Sequence, residues 1–180
     1  HGAIDAVDVK PFDQDMETIL KEKSKPSDWC KSGKIFFERG NFDEARQCFV
    51  RGFDNYNECL SIACLYTVKA TIARGKSGSK VLTEPIRNSL KKEALEFSLK
   101  AADIYKDPPL IKILEAAHNY KLGEKYEIAA ELFISLKVYI DAAQCYEICG
   151  KWLAAATSWL AADRMKEALN ACYLGRLYKE

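Results

Sequence analysis

The apolar positions of the chain fall into a short, recurring unit. In the C-terminal half it consists of a large residue, an alanine three positions on and a second large residue four beyond that. The unit recurs every thirteen residues: Tyr126, Ala129, Phe133; Tyr139, Ala142, Tyr146; Trp152, Ala155, Trp159; Met165, Ala168, Cys172, with Tyr173 beside the last. The same spacing stands near the start as Phe42, Ala45 and Phe49. Positions i, i+3 and i+7 share one face of an α-helix, so each unit predicts a helix with a single apolar stripe. Alanine in mid-stripe lets a neighbouring helix approach closely, while the two large residues fill the gaps on either side. Thirteen residues hold a helix of about nine or ten and a turn of about three. Successive helices then run antiparallel, and two units make one hairpin. A hairpin of this length cannot bury its stripe alone, so the units must stack. The expectation is an all-α fold, a right-handed α-solenoid of antiparallel helix pairs.

The rest of the chain fits that plan with longer elements. Pro26 to Arg39 reads as a helix with Pro in its first turn and Trp29, Gly33, Phe36 and Phe37 at helical spacing. Gly40-Asn41 is a turn, and Asn41 or Asp43 is placed to cap the next helix. Long helices are expected from Tyr56 to Arg74 and from Glu84 to Lys106, joined by a flexible loop at 75–80 (GKSGSK). Pro108-Pro109 ends the second and opens another helix from about Leu110 to Leu122, with Gly123 as its stop. Residues 1–12 read as linker or disordered, and Asp13 to Glu22 as a short helix. One helical-repeat domain is thus expected over 13–180, with a long helical pair at 54–107 and short hairpins at 108–180.

Trp29, Gly33, Phe36, Gly40, Phe42, Ala45, Phe49 and Gly52 stand at the spacing of the signature residues of a tetratricopeptide repeat, which segment 27–53 resembles. The segment departs at the end, where Asn57 stands in place of the usual Pro. The run DWCKSGKIFFERGNFDEARQCFVRG, a long helical pair, then AAELF and AAQCYEICGKWLAAATSWL resembles the helical region that follows the helicase core in large UvrD-like helicases of plants and fungi. Their animal relatives are the tetratricopeptide and ankyrin repeat-containing proteins. The resemblance spans about 27 to 180 and implies a parent that binds ATP and nucleic acid through residues outside this segment. It also implies that the first helix of each pair lines a concave face, here through Cys30, Lys31, Lys34, Phe37 and Glu38. Cys30 and Lys34 occupy the first repeat's two carboxylate-clamp positions, so the Lys and Asn pattern of chaperone-tail receptors is missing.

Charge and chemistry narrow the function further. The chain opens at His1 rather than Met, and its last helical pattern still runs near Glu180, which reads as a segment of a longer protein. With 27 basic and 26 acidic side chains the net charge is +1, without the excess a phosphate-neutralising protein usually carries. No apolar run is long enough to span a membrane. The seven cysteines include no C-x-x-C, and their odd count in apolar stretches suits reduced, buried thiols in the cytoplasm or nucleus. Gly75-Lys76-Ser77 lacks the glycine five positions earlier that a phosphate-binding loop needs, since Ala70 is there. His118 is the one internal histidine, and the carboxylates at Glu115, Glu124, Glu127, Glu131 and Asp141 follow polar helix faces. No catalytic residue, metal ligand or cofactor site is expected.

Three functions remain, one of them purely architectural, in which the segment packs on its parent's helicase core and exposes a broad apolar surface when isolated. The first of the other two is a protein-interaction or scaffolding module that holds a peptide in a concave groove, with Lys31, Lys34, Phe37 and Glu38 as candidate contacts. The aromatics Tyr66, Tyr120 and Tyr178, which the stripes do not absorb, are further candidates to line that groove. The second is an accessory nucleic-acid-binding domain of a superfamily 1 helicase, using Lys76, Lys80, Arg87, Lys91 and Lys92.

Overall fold

Local hydrogen bonding and the apolar stripes together set where each helix starts and stops. The computed structural model describes residues 24–178, so the expected linker at 1–12 and short helix at Asp13 to Glu22 lie outside it. The described residues form nine helices and no strand: α1 (Pro26–Glu38), α2 (Phe42–Arg51), α3 (Asn55–Ser77), α4 (Glu84–Lys106), α5 (Ile113–Leu122), α6 (Tyr126–Ser135), α7 (Tyr139–Ile148), α8 (Trp152–Ala161) and α9 (Met165–Tyr178). The chain divides into two compact units between Leu65 and Tyr66, within α3.

The short helices repeat one reversal. At the end of α5 the Glu124 N–H donates to the Lys121 carbonyl and the Lys125 N–H to the Tyr120 carbonyl, with Glu124 at φ 61°. This is the pair of bonds of a helix end closed by a left-handed residue. It recurs at Lys137 (φ 61°), Gly150 (φ 76°) and Asp163 (φ 58°), thirteen residues apart, and in the first unit at Gly40 (φ 78°) and Phe53 (φ 56°). Lys125, Val138 and Lys151 each finish one reversal and cap the next helix, so ten helical residues and three connecting ones make up the period.

In the first unit Trp29, Phe36, Ala45, Cys48 and Phe49 form the core, with Phe37 packed at its edge. Gly33 permits the close contact of α1 and α2, because a Cβ there would sit 2.8 Å from the Phe49 ring. The Arg51 guanidinium lies 4.6 Å above the Trp29 ring. Asn41 takes the cap position of α2 without a side-chain bond, whereas Asp54 caps α3 by accepting from the Asn57 N–H at 3.1 Å. Asn57, standing where the resembled repeat has Pro, also donates its side-chain amide to Asp54 at 2.7 Å.

In the second unit Tyr66 stacks on Phe97, and Arg74 donates to the buried Ser98 hydroxyl at 3.0 Å, joining α3 to α4. From α4 to α9 each helix packs on its successor. The mid-stripe alanines Ala129, Ala142 and Ala155 are fully buried, and so are Ala130 and Ala143 beside the first two. Larger side chains there would force the helices apart. The thirteen-residue register also extends one unit further back than the sequence pattern predicts: Ile113, Ala116 and Tyr120 on α5 stand at the same offsets.

Two boundaries differ from expectation. Residues 75–77 of the expected loop belong to α3, which runs to Ser77, whose hydroxyl donates to the Arg74 carbonyl at 2.7 Å. A glycine in a helix interior costs only about 1 kcal/mol, which a long helix absorbs. After Pro108-Pro109 the next helix starts at Ile113 rather than Leu110, because Leu110 is buried in the connection and Ile111 takes φ 48°.

Candidate functional site

A concave surface of the second unit crosses three of the short helices. Ile134 of α6, Tyr139 and Tyr146 of α7, and Leu153, Ala154, Thr157, Ser158 and Ala161 of α8 line a groove of about 470 Å³. The thirteen-residue period creates it. Tyr139 and Tyr146 are the two large stripe residues of α7, and α8 lays small side chains at Ala154, Ser158 and Ala161 beside them. Leu153, 68% exposed, stands at the rim.

The groove is mostly apolar, and its two aliphatic hydroxyls are turned back onto their own helix. The Thr157 hydroxyl donates to the Leu153 carbonyl at 3.0 Å and the Ser158 hydroxyl to the Ala154 carbonyl at 2.8 Å, leaving both oxygens only as acceptors. Burial pushes the Tyr146 phenol above its ordinary range, and the carboxylates of Glu131 and Glu127 push it the same way. Tyr146 therefore stays a neutral donor. Around the floor, Trp159 donates its indole N–H to Glu147 at 2.8 Å, and Lys151 reaches Glu127 at 3.8 Å, tying α7 to α8 and α6 to the loop before α8. The lining is thus apolar except for the Thr157 and Ser158 hydroxyls and the tyrosine phenols.

The candidate contacts on α1 are placed differently from one another. Lys31, Lys34 and Glu38 are exposed, while Phe37 is half-buried, its ring edge-on to Phe42 at 5.1 Å. The aromatics Tyr66 and Tyr120 do not line a groove: each is only 5% exposed. Tyr66 is taken up by the stack on Phe97, and the Tyr120 hydroxyl donates to Asp103, with Lys106 5.7 Å above its ring. Tyr178 is exposed and stacks on Trp152 at 6.1 Å.

The basic candidates also separate. Lys76, Lys80 and Lys91 are exposed, Arg87 is paired with Glu84, and Lys92 lies 3.9 Å from Glu96. Of the five, Lys76 lines a cleft of about 260 Å³ between α3 and α4, together with Lys69, Ile72, Ala73, Leu90, Glu93 and Phe97.

Among the described residues no group of three or more His, Cys, Asp or Glu is placed to hold a metal ion. His118 is exposed, with its ring edge-on to Phe133 at 5.1 Å. The Cys48 and Cys145 thiols are buried, and desolvation pushes both up to about 11, so neither is a nucleophile at neutral pH. No helix among the described residues is long and apolar enough to cross a membrane.

No family model, curated protein or solved structure matches the chain.

Proposed function

We propose that the chain is a protein-interaction module, a right-handed α-solenoid of antiparallel helix pairs of the tetratricopeptide-like kind, which takes up a segment of a partner along the groove of α6, α7 and α8. Ten-residue helices joined by three-residue reversals, with columns of buried alanine between them, support that architecture. The observation that carries the binding role is the groove itself, where two tyrosines and the exposed Leu153 surround a floor of small residues. Tyrosine beside aliphatic pockets is the composition of interface anchors. On this reading the chain catalyses nothing and carries no cofactor. Any ATP-dependent activity belongs to a helicase-like core elsewhere in a longer intracellular protein.

Selection of a displayed peptide library on the 180-residue chain tests the proposal. The selected peptides should bind with a dissociation constant on the order of 10 µM or tighter, and Leu153→Asp together with Thr157→Arg should weaken them about tenfold or more. Both positions are exposed, so the fold tolerates the change. A library that yields no enriched peptide, or peptides indifferent to the double variant, would overturn the reading.

A further inference from the structure

We propose that the cleft between α3 and α4 is a second docking site, separate from the α6–α8 groove, and that its occupant is an acidic amphipathic helix of a partner protein. Lys69 and Lys76 stand seven residues apart on α3, at the two ends of the cleft, with Ile72 and Ala73 between them. Seven residues are about two turns, so the two ammonium groups stand on one face about 10 Å apart along the helix. Leu90 and Phe97 of α4 complete an apolar floor, and Ile72 is 51% exposed above it. A helix laid along the cleft places its own i, i+3, i+4 and i+7 positions against this sequence of charge, apolar, apolar, charge.

Charge decides the chemistry of that helix. Residues 66–100 carry eight basic side chains against three acidic ones. Glu93 also lines the cleft and would repel a carboxylate set at its middle, so acids fit at the ends and apolar side chains at the centre. The same details disfavour a nucleic acid. The Phe97 ring already has Tyr66 stacked on it and Lys69 5.7 Å over it, so it is a poor platform for a base. The remaining floor is aliphatic, and Arg87 and Lys92 outside the cleft already have carboxylate partners.

The test is fluorescence anisotropy of a labelled helical peptide bearing Glu-x-x-Leu-Leu-x-x-Glu, titrated with the 180-residue chain at low and physiological salt. Binding should weaken with salt and fall about tenfold or more in Lys69→Glu/Lys76→Glu. That double variant should in turn bind the peptide whose two Glu are replaced by Lys, a gain that misfolding cannot produce. Leu153→Asp should leave both titrations unchanged, which separates this site from the groove. An unaltered affinity in the double variant, absence of the charge-swapped gain, or tighter binding of single-stranded RNA than of the peptide would each overturn the proposal.

Discussion

At residue scale the reversals between helices depend on single backbone conformations. Gly40 and Gly150 adopt the left-handed φ at no steric cost, but Phe53, Glu124, Lys137 and Asp163 adopt it with a side chain attached. Each of these non-glycine positions carries a cost on the order of 1 kcal/mol, partly offset because glycine loses more entropy on folding. Lys137→Gly and Asp163→Gly should each raise the melting temperature by roughly 2 °C, and Gly150→Ala should lower it by roughly 2–4 °C, as read by circular dichroism. Most of these positions were hidden in the sequence, since Phe, Glu and Lys give no sign of a positive φ and Asp only a weak one. Gly123 does stop α5, which ends at Leu122, but it sits at φ −87° and the left-handed residue is Glu124, one position on. Gly123 is there for space, because a Cβ would meet Leu99 at 2.5 Å.

At the scale of the element, the alanine positions set how closely helices approach. Ala142 and Ala155 are fully buried, so Ala142→Leu should cost about 1–3 kcal/mol or more in chemical denaturation, through overpacking against both neighbours. On α9 the equivalent of the buried Ala130 and Ala143 is Leu169, which is 63% exposed. Leu169→Ala should therefore change stability by no more than about 0.5 kcal/mol in the same experiment. Equal effects of the two substitutions would refute the account of the register. The start of this register was legible from Tyr126, but the unit at Ile113, Ala116 and Tyr120 was not, because Pro108-Pro109 drew the expected helix start to Leu110. Tyr146 was legible as a stripe residue. Its place at the edge of a groove was not, because that depends on Ala154, Ser158 and Ala161 of the following helix being too small to cover it.

For the molecule as a whole, the two buried thiols connect stability to pH. Cys48 lies in the first unit and Cys145 in the second, and burial raises each from 9.0 to about 11. A thiol whose pKa is higher when folded holds its proton in the native state, so its contribution is complete below about pH 9 and is lost as pH rises towards about 11. Denaturation midpoints should fall between those values, and Cys48→Ala/Cys145→Ala should flatten the fall. At pH 8 a thiol reagent should modify the exposed Cys149 and Cys172 at once, and Cys48 and Cys145 only on unfolding. Immediate reaction of all the thiols would contradict the burial.

The amino-acid sequence alone determined the helices and their period, because helical hydrogen bonds and stripe spacing are local properties that a thirteen-residue pattern encodes directly. Only the tertiary structure decided which stripe residues are covered. Tyr66 and Tyr120, which the sequence pattern left outside the stripes, are buried, whereas the stripe residue Tyr146 lines a groove, and Lys69 lines a cleft together with Phe97 of another helix. Those outcomes rest on the sizes and positions of side chains far apart in the chain, and close packing, unlike periodicity, cannot be read one segment at a time.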